Sequence, residues 1–418
     1  MFIQHLSLTG FRNYGRLELD LLPGTTILFG DNAQGKTNLL EAVYYLATTR
    51  SPYSDSDQQI INWDINLPEE PVVVARLVAT IQYDASLPNN EQNQKTIELR
   101  LIRENRNGSS SFRREAVVDH KKVRLMDLLG QLKAVLFLPS DLELITGSPS
   151  ARRRYIDITL CQTDSVYCRT LSGYNKLLEQ RNASLKKLAE TGRGKDVVNI
   201  LSERLASTAA EIFARRALFM HYLGKEVSRT HYEELTAGKE TAKLGYLPRL
   251  TSNPRRTGKG NQNQSADLLE VANWLLENAE DRNLIAKRYL EILQLTFDRD
   301  VASGNTTAGP HRDDWCFWVN GRHAGQFGSR GQQRTAMLAL KIAEIRRMVY
   351  ETGETPVLLL DEVASELDEH RRQLLLAQVT QSGQALLTTT SLDILPDSFS
   401  SQCATIQIVN GHISPTTV

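Results

Sequence analysis

The stretch GDNAQGKT, Gly30 to Thr37, decides the fold. It matches GxxxxGK[ST], and it follows the apolar run TTILF and precedes NLLEAVYYLA, whose apolar residues recur at helical spacing. A strand, a glycine-bearing turn and a helix in that order bring consecutive backbone amides and the positive end of a helix to one point. Phosphate oxygens suit such a point. Lys36 is placed to reach the outer phosphates of a nucleoside triphosphate, and Thr37 to offer its hydroxyl to Mg²⁺. Gly30, Asp31, Asn32, Ala33, Gln34, Gly35 and Asn38 complete the expected cradle. The bland alternative is a structural turn that happens to contain glycines, and it has no need of strand, motif and helix together.

A second half of such a site ends the run VLLLDE, where a buried apolar strand delivers Asp361 and Glu362 at its C-terminal tip. Ligands bind at such strand ends in open parallel sheets. Asp361 is expected to hold Mg²⁺, directly or through water, and Glu362 to orient and deprotonate the attacking water. Alone, a DE pair after an apolar run is usually a solvated strand end. Beside a phosphate loop it completes a site, because phosphoryl transfer needs little beyond positioning, metal and water activation. The two halves stand 325 positions apart, so a large insertion separates sheet segments that must meet in space. Small-molecule kinases, GTPases and transporter ATPase subunits seldom carry such an insertion. An enzyme acting on a small molecule or cleaving nucleic acid would need a further acidic or metal cluster, and none stands outside the two motifs.

Bulk properties narrow the class further. A chain of 418 residues, 41% of them hydrophobic, is long enough for two or more domains with real cores. Its 49 basic and 49 acidic residues leave a formal net charge of +0, so a polyanion would have to be met by a local patch. Cys161, Cys168, Cys316 and Cys403 form no CxxC pair or zinc spacing, which suits small buried side chains in a reducing compartment. MFIQHLSLTGFRNY lacks the pattern of a secretory leader and no later run approaches a membrane-spanning length, so a cytoplasmic location without a membrane partner is expected.

Sheet patterns come first along the chain. FIQHLSLTGF, RLELDL, PVVVARLVATIQY, KTIELRLIRE and REAVVDHKKVRL alternate or form short apolar runs. From about Ser150 the period becomes helical, with a break at Gly192 to Lys195 that predicts a helical hairpin, and no heptad run persists long enough for an extended coiled coil. Tyr246 to Asp267, YLPRLTSNPRRTGKGNQNQSAD, is aperiodic and predicts a loop. Helical spacing resumes in LLEVANWLLENAEDRNLIAKRYLEIL. Then GPHRDDWCFWVNGRH switches to alternation, with Trp315, Phe317 and Val319 on one face and Asn320 and Gly321 as a tight turn. These changes predict an α/β protein in three segments: a sheet-rich one over residues 1–148, a helical lobe over 149–300, and a return to sheet and helix over 301–418.

FGSRGQQR, Phe327 to Arg334, sets small residues at the start of a helix just ahead of the carboxylate strand. It resembles the signature loop of ABC-type ATPases, with SRGQQ where transporters have SGGQ. That resemblance implies that Ser329 and Gly331 face the γ-phosphate held by a second copy. GDNAQGKTNLLEAVYYLATTRS, LPSDLELITGSPSARRRYID, GPHRDDW, FGSRGQQRTAMLALKIAE and LLLDEVASELDEHRR together resemble the RecF family of DNA recombination and repair ATPases, in the family's order. The resemblance implies an ABC-type head of mixed sheet and helices with a compact helical second lobe. It further implies weak, DNA-stimulated ATP hydrolysis, an ATP-dependent homodimer, binding to double-stranded or gapped DNA, and RecO and RecR as partners in recombinase loading near the nucleoid.

Residue by residue, Lys36, Thr37, Asp361 and Glu362 match the phosphate, metal and water positions, and Ser329, Gly331 and Gln332 the signature loop. Ser365 to Asp368 resembles the D-loop that crosses the dimer interface. Arg12 falls where related heads place a basic residue near the nucleotide, and it reads equally as a strand-end surface arginine. Three departures stand out. Ser140 and Asp141 occupy the place of the usual Mg²⁺-sensing glutamine, Thr390 is the available substitute for a missing switch histidine, and SPY follows Arg50 where the family has a histidine after the serine.

Candidate DNA contacts are Arg113 with Arg114, Lys121 with Lys122, Arg152, Arg153 and Arg154, and Arg255, Arg256 and Lys259, each of which reads by default as a solvated surface. No aromatic residue is interleaved with them, so contact to phosphates rather than base stacking is expected. His311, Asp313 and Asp314 are expected to form a hydrogen-bonded turn propping the signature loop rather than a metal site, because no second histidine stands at ligand spacing.

Overall fold

The computed structural model describes residues 1–54, 56–67, 70–83, 93–106, 109–252 and 262–414. Arg255, Arg256, Lys259 and the middle of the expected Tyr246–Asp267 loop lie outside the described residues. The chain divides into two compact units, one of Met1–Asp141, Cys161–Thr163 and Glu344–Val418, the other of Leu142–Leu160 and Asp164–Ala343.

In the first unit the early strands are β1 (Phe2–Phe11), β2 (Tyr14–Asp20), β3 (Gly24–Phe29), β4 (Val72–Gln82), β5 (Gln94–Arg106), β6 (Ser109–Val118), β7 (Lys121–Val123) and β8 (Ala134–Phe137). The second unit holds β9 (Ala242–Leu247), β10 (Asp314–Val319) and β11 (Arg322–His323). The chain then returns to the first unit with β12 (Val357–Asp361), β13 (Gln384–Thr389), β14 (Ala404–Val409) and β15 (His412–Ser414).

Two sheets build the first unit, an antiparallel one in the order β2-β1-β4-β5-β6-β7 and a mixed one in the order β15-β14-β3-β13-β12-β8. Strands β14, β3, β13, β12 and β8 run parallel, and every residue of β12 and β13 is buried. Cover on both faces explains why VLLLD reads as an unbroken apolar run, whereas β1 and β2 alternate. The helix Lys36–Thr48 sinks Leu39, Leu40, Val43 and Leu46 into the core shared by both sheets. Gln384 ties the sheets together: its side-chain oxygen accepts from the Ile3 amide at 2.8 Å and its nitrogen donates to the Ile3 carbonyl at 2.9 Å. A buried amide side chain thus satisfies backbone groups that would otherwise be orphaned.

The second unit is built on the helices Ser165–Thr191 and Lys195–Arg229, joined at Gly192 and Gly194 with φ of 68° and 97°, as the expected hairpin. The short sheet β11-β10-β9 lies in the same unit. Trp315, Phe317 and Val319 are buried, and the turn residues Asn320 and Gly321 have φ of 49° and 74°, the signs a tight hairpin demands. Because β10 pairs with β9 from Val319↔Ala242 to Asp314↔Leu247, residues up to 343 join the helical unit. The boundary expected near 301 therefore falls at 343/344, and Tyr246 and Leu247 close a strand instead of opening a loop. Among the described residues no helix is long and apolar enough to cross a membrane.

The helical unit encloses a charged pair. Arg181 meets Asp300 at 3.0 Å with both side chains 0% exposed, and it also donates to Ser202 at 2.9 Å and Thr306 at 2.7 Å. Asp300→Ala leaves the guanidinium buried without its counter-charge, and the expected loss is about 3–5 kcal/mol. The midpoint of urea unfolding, followed by circular dichroism, measures it.

Candidate functional site

The loop Gly30–Thr37 is shaped by positive φ angles of 146° at Gly30, 64° at Ala33 and 112° at Gly35. A Cβ on Gly30 would come within 2.4 Å of the Ile408 carbonyl, so no other residue fits there. Two neighbouring turns brace the loop. Asn13 donates to the Gln34 carbonyl at 3.0 Å, Gly411 donates to the same carbonyl at 2.9 Å, and the Tyr14 hydroxyl donates to the Gly35 carbonyl at 2.8 Å. Asn38 completes the brace by donating to Asn13 at 2.8 Å.

At the head of its helix Lys36 is only 3% exposed. Its ammonium donates to the carbonyls of Gly30 at 2.7 Å and Asp31 at 2.8 Å and lies 3.7 Å from the Glu362 carboxylate. Thr37 donates its hydroxyl to Asp361 Oδ1 at 2.8 Å. The register Asp361↔Thr388 brings a third strand in, and the Thr388 hydroxyl donates to the same oxygen at 2.8 Å while accepting from the Glu362 amide at 3.0 Å. Glu362 itself has φ 53°, a left-handed turn that stops the strand and swings the next side chain out of the sheet. A cleft of about 290 Å³ is lined by Asn32 to Asn38, Pro139, Asp361 and Glu362.

These groups fit a metal-bound triphosphate. Lys36 carries a buried cation in the loop, and its partners are two neutral carbonyls and a partly exposed carboxylate. Thr37 and Asp361 offer hard oxygen ligands within hydrogen-bond distance of each other, the donor type Mg²⁺ takes from proteins. The structure thus brings Gly30, Asp31, Asn32, Ala33, Gln34, Gly35, Lys36, Thr37, Asn38, Asp361 and Glu362 together.

Several expectations change. Arg12 does not line the cleft: its guanidinium is bidentate to Glu41 at 2.8 and 2.7 Å and donates to the Gln59 carbonyl at 3.0 Å. Thr390 lies exposed beyond the end of β13, and Thr388, one pleat earlier on the same strand, is the residue that touches both carboxylate positions. Asp141 turns back to accept from the Leu138 amide at 2.8 Å, while the adjoining Pro139 lines the cleft. Tyr53, beyond the reach of sequence spacing, donates its hydroxyl to Asp361 Oδ2 at 2.7 Å. Only the oddity of SPY after Arg50 marked that segment.

The signature-like loop lies in the second unit. Ser329 is exposed and forms a reciprocal cap with Gln332: its amide donates to Gln332 Oε1 at 3.0 Å, and its hydroxyl accepts from the Gln332 amide at 3.2 Å. Gln332 also donates to Glu240 at 2.7 Å, and the Gly331 carbonyl accepts from Thr335 at 2.9 Å. The Ser329 hydroxyl proton still points to an acceptor of its own choosing, because the cap uses only the oxygen. Asp368 caps the helix Glu369–Gln381, accepting from the Arg371 amide at 3.1 Å, and the Ser365 side chain lies outside the described set.

The basic candidates separate by environment. Arg152, 8% exposed, is bidentate to Asp314 at 2.6 and 3.0 Å and donates to the Gly147 carbonyl, so it is a structural arginine and not a phosphate contact. Arg153 donates to the Asp313 carbonyl at 2.8 Å, and Arg114 bonds the Thr49 carbonyl and Asp57, each at 3.0 Å. Arg113 and Lys122 converge on Glu115 at the sheet surface, while Lys121 and Arg154 are exposed.

In GPHRDDW the imidazole of His311 is fully engaged. Its Nε2 donates to the Thr306 carbonyl at 2.9 Å, which requires the proton there, and Nδ1 accepts from the Tyr174 hydroxyl at 2.6 Å. Asp313 accepts from Arg216 at 2.8 Å, from the Arg249 amide at 2.7 Å and from the Tyr246 hydroxyl. The turn knits the helical unit as a hydrogen-bonded hub. Burial pushes the His311 pKa down to about 3, against the smaller opposing pull of the Thr306 carbonyl. Its contribution to stability is therefore complete above pH about 6.5, where the unfolded histidine is also neutral, and it is lost as pH falls toward 3. His311→Gln is expected to flatten this part of the acid limb, read as a shallower fall of the urea midpoint between about pH 6.5 and 4 than in the parental chain.

Comparisons with known proteins agree with this geometry. The family model described as "RecF/RecN/SMC N terminal domain" matches residues 2–414. The "DNA replication and repair protein RecF" of Chloroflexus aurantiacus is 36% identical, with 99% of each chain covered. The protein of the same description from Geobacillus kaustophilus is 35% identical over 99% of each chain. A solved structure described as the recombination mediator protein RecF-ATP in the RecFOR pathway superposes with a TM-score of 0.79 at 28% identity, covering 100% of this chain and 98% of that one. On full-length likeness in sequence and in structure, the chain belongs to the RecF family.

Proposed function

We propose that this protein is a Mg²⁺-dependent ATPase of DNA replication and recombinational repair, acting in the RecFOR pathway as an ATP-gated dimer that closes on double-stranded or gapped DNA. The observation that carries the reading is the 2.8 Å hydrogen bond from Thr37 to Asp361, which joins the phosphate loop to a carboxylate strand from the far end of the chain. With Lys36 and Glu362 3.7 Å apart beside it, the phosphate, metal and water groups that one chain supplies face one cleft. Relatives that carry the name RecF support the DNA repair role and the ATP-bound relative supports the nucleotide.

In this reading the loop amides and Lys36 bind the polyphosphate, and Lys36 exchanges its carbonyl partners for phosphate oxygens. Thr37 and Asp361 hold Mg²⁺, which shields the phosphate charge. Glu362, 41% exposed at the mouth of the cleft, holds and deprotonates the attacking water, with its backbone fixed by Thr388. Turnover is slow because an exposed Thr390, just past the end of β13, stands where an imidazole would grip the γ-phosphate, and DNA stimulates it. Ser329, Gly331 and Gln332 meet the nucleotide of a second copy, alongside Asp368. A ligand bound only by the dimer stabilises it by about 2.7 kcal/mol per site at a hundredfold excess over Kd. Lys121, Lys122 and Arg154 are the exposed cations offered to DNA phosphates, and RecO and RecR are the partners in recombinase loading at the cytoplasmic nucleoid.

Sedimentation velocity with and without ATP, and with gapped duplex, tests the proposal. A monomer is expected without nucleotide, a dimer with ATP and Mg²⁺, and a heavier complex when gapped duplex is added. A mass indifferent to ATP would overturn the gated dimer.

A further inference from the structure

Asp361 is held from both sides. Oδ1 accepts from the hydroxyls of Thr37 and Thr388, each at 2.8 Å, and Oδ2 accepts from the Tyr53 phenol at 2.7 Å. The two oxygens are therefore not equivalent: the first faces the phosphate loop, and the second is tied to a residue outside it. Tyr53 is itself anchored. Its backbone amide donates to Ser51 Oγ at 3.0 Å, Ser51 donates to the buried Glu41, and Glu41 takes the bidentate Arg12. Glu41 stands on the helix that begins at Lys36, so the phenol is braced against the same helix that presents Thr37.

We infer that Tyr53 is a positioning residue of the cation site, its hydroxyl fixing Oδ2 so that Oδ1 stays turned toward Thr37. A carboxylate free to rotate about its terminal torsion would present either oxygen, and part of the binding free energy of the cation would go to ordering it. An ordinary phenol stays protonated to about pH 10, so Tyr53 is a donor throughout the working pH range. The cation needs one oxygen of the pair, and the structure turns toward the phosphate loop the one beside the Thr37 hydroxyl, which can give up its donated proton to another acceptor. Arg12, withdrawn from the nucleotide, acquires a role here as the far anchor of the brace.

This inference rests on the proposed Mg²⁺–ATP site, and the test separates the two. Binding of a fluorescent ATP analogue is titrated with Mg²⁺ for the parental chain and for Tyr53→Phe, with a parallel titration of the analogue in EDTA. Loss of a hydrogen bond to a charged group is expected to raise the Mg²⁺ midpoint about tenfold or more, with the metal-free affinity for the analogue unchanged. A midpoint that is unchanged or lowered overturns the role of Tyr53. An affinity that falls equally in EDTA and in Mg²⁺ also overturns it, since that marks a general structural contribution. If Tyr53→Phe does not fold, Ser51→Ala keeps the phenol but loosens its anchor, and the same rise of smaller size is expected; no rise overturns the inference. Failure of the parental chain to bind the analogue at any Mg²⁺ concentration would instead remove the nucleotide site itself.

Discussion

Glu362→Gln is expected to lower ATP turnover by about 10²- to 10⁴-fold while leaving ATP binding at the parental level, the usual scale for loss of a general base. The substitution is nearly isosteric and keeps the left-handed backbone, which the Thr388 hydroxyl holds through the Glu362 amide at 3.0 Å. What disappears is the carboxylate charge. Lys36, now 3.7 Å from that charge, keeps its two carbonyl partners and its approach to phosphate. Asp361 and Thr37, the proposed ligands of the cation, are untouched. Phosphate release under single-turnover conditions, beside equilibrium binding of a fluorescent ATP analogue, separates the two effects. Hydrolysis at the parental rate would remove Glu362 from the mechanism. The expected companion of slow hydrolysis is a long-lived ATP-bound dimer, visible as a persistent heavy species after ATP is added.

Ser329→Arg is expected to abolish ATP-dependent dimerisation while the monomer binds ATP as before. Ser329 is exposed at the start of the helix Arg330–Thr352, so a long side chain is accommodated in the isolated chain. Losing the reciprocal cap with Gln332 costs about 1 kcal/mol, small against a helix of 23 residues packed along its apolar face. On the proposed trans arrangement the damage falls on the second copy, because the arginine would fill the space in which a hydroxyl and a backbone amide are to meet the partner's γ-phosphate. Ser329→Ala is the gentler comparison: it removes the hydroxyl without adding bulk and should weaken the dimer without eliminating it. Sedimentation that still shows an ATP-dependent dimer in Ser329→Arg would refute completion of the site by a second copy.

What the sequence made legible was local. The phosphate loop is one contiguous stretch whose function demands particular residues at particular steps, and VLLLDE betrays its burial by having no polar side to show. Ser329 and Gln332 were legible as a signature-like loop, while their reciprocal cap came from the structure. Contacts set by the packing of distant strands were not legible. Thr388 meets Asp361 only because β12 and β13 pair in one register, and a shift of two residues would have put Thr390 there instead. Tyr53 reaches Asp361 across 308 positions, and no period or spacing reports such a contact. Arg12 and Arg152 looked available because sequence shows charge without its partner; Glu41 and Asp314 supply those partners in three dimensions. The domain boundary moved for a similar reason, since six residues of β9, followed at once by a proline, carry too weak a signal to claim a strand.

Strand β3 leads into the phosphate loop, yet its neighbours in the sheet are β13 and β14, which begin at Gln384 and Ala404. During synthesis the phosphate loop therefore emerges early and waits, its strand unpaired on both edges, while more than three hundred further residues leave the ribosome. The hairpins β1–β2, β4–β5, β5–β6 and β6–β7 and the helix pair Ser165–Thr191 and Lys195–Arg229 can form in that interval, because their contacts are close in sequence. The mixed sheet cannot. A chain interrupted before Gln384 can hold a folded helical lobe and still lack the site altogether, so acquisition of nucleotide affinity marks completion of the whole molecule.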